Sequence, residues 1–402
     1  MFDPIKASKE IKDSYIDYIT TTFDMADTDY EREFRKELQT DGTVASGPFL
    51  DIGGSYETGH TLRELIQAQK ASVLFESLEP VAEKERELKL DRPLYQHQET
   101  AMLKADKGEN LVVTTGTGSG KTESFLLPII NHLLREQEAG TLSAGVRAII
   151  IYPMNALAND QMKRMRALFK NYPQICYGVY NGNTEHTQSK ALAEYHRTYH
   201  DEAGEPIDPA PNEIISREVM QERPPHILIT NYSMLEYMML RPKDDAVFSG
   251  SKLKFIVLDE AHIYKGATGM ETSLLMRRLR ARISEPDSVQ YILTSATLGG
   301  PDADGDILSF AEKLCGVAFQ RSGIIRSTEK RPAMEDFWDF APALFEELQR
   351  SPDISSVLAR YHADFAPGGS EGEKLYALFL HSRLFALLRK VAHQPITVAQ
   401  LR

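Results

Sequence analysis

The chain has 402 residues, 42% of them apolar, and 58 Asp and Glu against 46 Lys and Arg give it a formal charge of −12. That composition fits one full α/β core with appendages, and the lack of any apolar run of roughly eighteen residues excludes a membrane-spanning helix. The N-terminus has no basic-then-apolar leader pattern, so a cytoplasmic location is expected. Cys176 and Cys315, without ligand-spaced partners, read as two buried thiols rather than a disulfide or a zinc site.

Residues 1–88 read as an acidic, mostly helical accessory region, broken by Gly and Pro between residues 41 and 59 and ending in the charged run 81–87. Residues 1–91 hold 20 acidic and 11 basic side chains, a balance of −9, so the remaining 311 residues carry only −3. A protein partner is expected for this acidic segment. Over residues 89–325 apolar runs alternate with helical patterns, the runs being 111–115, 146–152, 175–180, 226–230, 254–259 and 290–294. This alternation predicts a doubly wound parallel sheet covered on both faces. The polar insertion between 183 and 225 contains His186, His196 and His200, at a spacing that suits surface histidines better than metal ligands. Residues 326–402 form a helical segment whose stripes, Phe337, Trp338, Phe340, Phe345 and Leu348 and then Leu375, Leu378, Phe379 and Leu384, suit packing surfaces.

Two motifs carry chemistry. The apolar run 111–113 leads into Thr115-Gly116-Thr117-Gly118-Ser119-Gly120-Lys121-Thr122, followed by an apolar helical pattern. A strand, a glycine-rich turn and a helix start in this order form a phosphate cradle for ATP, to which Thr117, Gly118, Ser119, Gly120, Lys121 and Thr122 are assigned. Backbone amides approach the phosphates, Lys121 reaches the outer ones, and the Thr122 hydroxyl sits on Mg²⁺. Thr115 stands where the strict pattern has its first Gly. The second motif is the buried-strand run 254–258 ending in Asp259-Glu260-Ala261-His262. Strand ends of a doubly wound sheet deliver their side chains to one crevice. Asp259 is placed there to hold Mg²⁺, and Glu260 to orient and deprotonate the attacking water, with Lys121 and His262 completing the catalytic group.

Further segments stand in order around these two. Leu94-Tyr95-Gln96-His97-Gln98 precedes the phosphate loop. Tyr152-Pro153-Met154-Asn155-Ala156-Leu157, Gly182-Asn183-Thr184, Thr230-Asn231-Tyr232 and Thr294-Ser295-Ala296-Thr297 follow predicted strands. Together they resemble the first, RecA-like motor lobe of superfamily 2 DEAD/DEAH-box helicases across residues 92–300. The resemblance implies that Gln98 reads adenine and that Pro153, Asn155, Gly182, Thr184, Thr230 and Asn231 touch the nucleic-acid backbone. Ser295 and Thr297 would couple hydrolysis to strand movement by bonding His262 and Asp259. Met154 replaces the family's Thr, so a hydroxyl contact there is lost or made by a neighbour such as Asn155. Tyr264-Lys265-Gly266-Ala267-Thr268-Gly269 and the later Arg277-Arg278-Leu279 resemble the Lhr and MrfA branch of DNA helicases and the large bacterial antiphage helicases. DNA is therefore the expected nucleic acid, in repair or in antiviral defence.

Superfamily 2 motors work with a second RecA-like lobe that supplies arginine fingers. No second doubly wound pattern follows Thr297, and the chain reads as an N-terminal fragment or truncated product. Without that trans arginine, which contributes about 10³ to 10⁵ in rate, its own turnover is expected to be weak. Two basic clusters, Lys163, Arg164, Arg166 and Lys170, and Arg277, Arg278, Arg280 and Arg282, either line the strand or form solvated faces. Two functions remain open at this point: the ATP-binding lobe of a DNA-stimulated translocase, or a nucleotide-dependent binding module with little catalysis.

Overall fold

The computed structural model describes residues 3–23, 25–40, 42–50, 56–79, 88–116, 118–201, 204–248, 250–296, 299, 301–330, 337–391 and 396–397. Contacts divide the chain into two units, Met1–Ser55 with Lys330–Arg402, and Tyr56–Glu329.

The first unit opens with α1 (Pro4–Thr22), where Asp3 accepts hydrogen bonds from the amides of Ile5 and Lys6 and Pro4 takes the first helical turn. A second Asp cap, Asp27, starts α2 (Thr28–Gln39), and β1 (Phe49–Leu50) follows.

The second unit begins with β2 (Thr58–Thr61), α3 (Leu62–Gln67), β3 (Pro93–Tyr95) and α4 (Gln96–Asp106), β2 pairing antiparallel with β3. Its main sheet contains β4 (Leu111–Thr114), β5 (Ala148–Ile151), β6 (Tyr177–Tyr180), β7 (Glu213–Ile214), β8 (Ile227–Thr230), β9 (Phe255–Leu258), β10 (Gln290–Ser295) and β11 (Ile324–Arg326). The order is β11-β4-β10-β9-β5-β8-β6-β7, with every neighbouring pair parallel. Between the strands run α5 (Lys121–Glu138), α6 (Asn155–Phe169), α7 (Gln188–Thr198), α8 (Arg217–Glu222), α9 (Tyr232–Leu240), α10 (Asp245–Phe248) and α11 (Gly266–Arg282), and α12 (Asp304–Cys315) precedes β11.

Successive strand side chains point to opposite faces, so an unbroken apolar run is stable only where both faces are covered. On β4, Leu111 and Val113 enter one core and Val112 the other; on β5, Ala148 and Ile150 enter the first and Ile149 and Ile151 the second. The predicted doubly wound sheet is thus present. Two short edge strands, β7 and β11, join the six expected ones. Leu62, Leu65, Phe75 and Leu78, each at most 3% exposed, lie in the core cluster that holds the apolar face of α5. The contact division therefore falls after residue 55 rather than after 88, because apolar packing, not charge, ties residues 56–79 to the sheet. The run 81–87 lies outside the described residues.

The first unit resumes with α13 (Pro342–Arg350), α14 (Ile354–Arg360), α15 (Glu371–His381), α16 (Arg383–Val391) and β12 (Ile396–Thr397), which pairs antiparallel with β1. Leu344, Leu348, Val357, Leu358 and Leu378 form its own small core, while Trp338 and Leu384 remain more than half exposed. Among the described residues no helix is long and apolar enough to cross a membrane. Cys176 and Cys315 are free thiols, and burial raises the pKa of both.

Candidate nucleotide and nucleic-acid site

The order β4-β10-β9 places the glycine-rich loop and the acidic motif at the ends of strands that flank a common neighbour. Thr115 N–H donates to Ser295 O at 3.2 Å, and Asp259 N–H to Ile151 O at 3.1 Å, which pins both strand ends to the sheet. Thr115 itself explains the departure from the strict loop pattern. Its hydroxyl accepts from Ser119 Oγ at 2.7 Å, both side chains being buried, so a side-chain bond closes the loop. Ser119 therefore turns its hydroxyl inward, and the residue is fully buried. Gly120 caps α5 with φ +71°, which favours glycine, and a Cβ there would stand 2.3 Å from Gln98 Nε2 and force that amide to shift.

His97 and Gln98 brace this loop. His97 Nε2 lies 2.8 Å from Ser119 O, while Gln98 Nε2 donates to Gly120 O at 3.1 Å and Gln98 Oε1 accepts from Tyr95 N–H at 2.9 Å. Burial holds His97 below the ordinary histidine pKa, more strongly than its bond to Ser119 raises it, which keeps the ring neutral at physiological pH. Gln98, 1% exposed, has one hydrogen bond on each end of its amide, which leaves one N–H and one acceptor position for a further partner.

Lys121 Nζ reaches across to Glu260 Oε1 at 3.0 Å. Glu260 adopts φ +48° and ψ +48°, a left-handed backbone that is costly for a residue with a Cβ and concentrated at functional sites. Thr294 Oγ1 donates to Asp259 Oδ1 and accepts from Glu260 N–H at 3.3 Å, so one hydroxyl orients both acidic residues. Asp259 is held above the usual carboxylate range by burial first and by Glu260's charge, against the opposing Thr294 bond and Lys121. His262 Nδ1 lies 3.2 Å from Ser295 Oγ and 3.3 Å from Glu260 Oε2. The expected Ser295 to His262 link is present. The hydroxyl on Asp259 belongs to Thr294, a residue given no role from sequence, and Thr117 and Thr297 lie outside the described residues. Gly118 sits exposed at the tip of the loop, and Thr122 follows Lys121 in the first turn of α5.

The six expected backbone contacts cluster farther along the sheet, at the carboxyl ends of β5, β8 and β6. Asn155 opens α6 just after Pro153, and its Oδ1 accepts from Asn231 Nδ2 at 2.8 Å; Asn231 in turn caps α9. Met154 is 58% exposed beside them. The Thr184 and Thr230 hydroxyls face inward, donating to Val179 O at 2.8 Å and Tyr180 O at 2.7 Å, while Gly182 is exposed. Most members of the two basic clusters have partners within the protein. Arg164 pairs with Glu123 at 2.6 Å, Arg166 with Glu213 at 2.7 Å, Arg280 with Asp287 at 2.6 Å, Arg282 with Asp245 at 3.0 Å, and Arg278 with Glu236. These cations brace neighbouring elements. Gly269 has a packing reason: a Cβ there would stand 2.6 Å from Tyr264 O, so α11 starts tight against the acidic turn.

Residues 95–203 and 204–304, together just over half of the chain, match the DEAD/DEAH box helicase family. The chain belongs to that family. Druantia protein DruE of Escherichia coli (strain UMEA 4076-1) is 33% identical over 413 residues, covering 81% of this chain and 22% of that protein. The uncharacterized ATP-dependent helicase YprA of Bacillus subtilis is 31% identical over 219 residues, covering 54% of this chain and 24% of YprA. The chain thus spans about a quarter of the length of these relatives. Among solved structures, the DEAD-box helicase Mss116 bound to ssRNA and UDP-BeF superposes with a TM-score of 0.50 at 16% identity, over 79% of this chain and 56% of Mss116. That likeness shows the RecA-like fold shared with DEAD-box helicases.

Proposed function

We propose that this chain is the ATP-binding motor lobe of a nucleic-acid-stimulated ATPase, with DNA its track, that turns hydrolysis into translocation or unwinding together with a second RecA-like lobe. The observation that carries this reading is the convergence of Lys121, Glu260, Asp259, Thr294, His262 and Ser295 at the carboxyl ends of β4, β10 and β9. The residues present fit the phosphates of ATP: an 18-residue helix directs its free amides at the loop, and Lys121 stands in its first turn. They also fit Mg²⁺. Asp259 is a half-buried carboxylate whose charge desolvation disfavours, and with the Thr122 hydroxyl it offers the hard oxygen donors this ion takes beside phosphate oxygens. Bound there, the ion would neutralise charge on the phosphates.

Lys121 is held by Glu260. Phosphate competes for Lys121, and its departure releases the Glu260 carboxylate to accept a proton from the attacking water. Thr294 keeps Asp259 and the Glu260 backbone in register while this happens. His262 and Ser295 join the acidic motif to β10, and Ser295 O is bonded in turn to the start of the phosphate loop, so displacement of Glu260 is felt along the shared edge. Phosphate turnover of the chain joined to a second RecA-like lobe, measured with and without single-stranded DNA or RNA, tests the reading. Stimulation by nucleic acid, lost in Glu260→Gln, is expected; turnover indifferent to both would overturn it.

A further inference from the structure

The turn 181–184 leaves Gly182 and Asn183 exposed. Beneath it lies a cation from the polar insertion, outside every motif described above. Arg217 is 6% exposed, and its Nη2 donates to Asn181 O at 2.9 Å and Gly182 O at 3.4 Å. Its guanidinium stands 5.2 Å from the centre of the Tyr180 ring, and its own N–H donates to Glu185 O at 3.0 Å, just beyond the turn. Among the described residues Arg217 forms no ion pair, and its Nε has no hydrogen-bond partner. The buried Asp244 makes no ion pair with it: Oδ1 accepts from Tyr180 Oη at 2.5 Å and Gln221 Nε2 at 2.7 Å, and Oδ2 has no hydrogen-bond partner among the described residues. A buried cation lacking a carboxylate partner is unfavourable until an anion arrives.

The turn above it is built to receive one. In a trans peptide the C=O and N–H point opposite ways, so fixing Asn181 O on Arg217 turns Gly182 N–H away from it. Asn183 N–H is taken by Asn181 Oδ1 at 2.9 Å, whereas Gly182 N–H has no partner among the described residues. A Cβ on Gly182 would meet nothing within 4 Å, so the space outside it is open.

We propose that Arg217 is the positioning residue for the turn's grip on nucleic acid: it holds the carbonyls of Asn181 and Gly182 inward so that Gly182 N–H takes a backbone phosphate over the buried positive charge. The inference rests on the nucleic-acid reading above and adds to it a residue that touches no strand itself. Because phosphate is common to both polymers, fluorescent oligothymidylate and oligouridylate serve as probes. Affinity is measured by anisotropy over a salt series for the parent, Arg217→Met and Arg217→Lys, beside binding of a fluorescent ATP analogue and thermal melting.

Arg217→Met should weaken both probes by about tenfold, the scale of one charged hydrogen bond, and flatten the salt dependence. Arg217→Lys keeps the charge and should recover most of the salt slope, with ATP-analogue affinity unchanged in both variants. A merely structural role would lower melting temperature and all affinities together and leave the slope alone. A folded Arg217→Met with parental affinity and slope overturns the proposal. Should that variant fail to fold, Gly182→Asp against Gly182→Asn decides, since both point into open space: weaker binding by the carboxylate variant alone supports the site, and equal binding removes it. A parent that binds neither probe removes the nucleic-acid reading and this inference together, an outcome distinct from the failure of Arg217 alone.

Discussion

Replacing Glu260 by Gln removes the proton acceptor and, with it, the negative charge that holds Lys121. The Lys121 and Glu260 side chains are 10% and 25% exposed and 3.0 Å apart. Two unit charges at that separation attract by about 5 kcal/mol at an effective dielectric of about 20. Solvent access to Glu260 and the neutral hydrogen bond that Gln retains reduce the net difference to on the order of 1 kcal/mol. Phosphate no longer has to displace a carboxylate from Lys121, so ATP should bind the variant roughly fivefold more tightly. Titration with a fluorescent ATP analogue, run beside phosphate release, reads both consequences. Tighter binding with hydrolysis lost is the expected pair. Unchanged or weaker binding would refute the competition between Glu260 and phosphate, and hydrolysis at the parental rate would refute the role of Glu260 as base.

Lys121→Ala should abolish nucleotide binding by calorimetry, because it removes the cation in the first turn of α5 and leaves Glu260 facing the loop; retained affinity would show that amides alone hold the phosphates. Asp259→Asn should raise the melting temperature of the nucleotide-free protein at neutral pH while eliminating ATPase activity. The sign follows from the raised folded-state pKa: the ionised carboxylate is penalised in the fold, so stability increases as pH falls from neutral through that pKa toward the ordinary carboxylate value. A variant that melts lower than the parent at neutral pH would contradict this. Arg166→Met removes two guanidinium nitrogens, at 2.7 and 2.8 Å, from the 1% exposed Glu213 side chain and leaves it the neutral Tyr195 hydroxyl at 3.2 Å in place of a cation. Denaturant unfolding should show a loss of about 3–5 kcal/mol, with Arg166→Met/Glu213→Gln recovering much of it; a loss no larger than that of an exposed pair would mean that Glu213 finds water.

Local order in the chain was enough for the sheet and the two acidic and basic poles of the site. The six apolar runs became β4, β5, β6, β8, β9 and β10 because a short stretch rich in Val, Ile, Leu and Tyr, in alternation with helical patterns, suits a strand buried on both faces. The loop around Lys121 and the carboxylates at 259–260 were legible for the same reason, as short segments whose chemistry depends on neighbours in sequence. The two- and three-residue edge strands β7 and β11 carry no such run, and their pairing depends on what lies beside them. Charge suggested a boundary near residue 88, but burial of Leu62, Leu65, Phe75 and Leu78 drew the preceding segment into the sheet unit. Only tertiary structure decided that Thr294 orients Asp259, that Ser119 closes onto Thr115, that Arg166 belongs to Glu213, and that Arg217 lies under the 181–184 turn. Except for the local Ser119 bond, these contacts join residues dozens of positions apart. Their existence depends on strand order and helix approach, which residue type and spacing along a single chain do not encode one segment at a time.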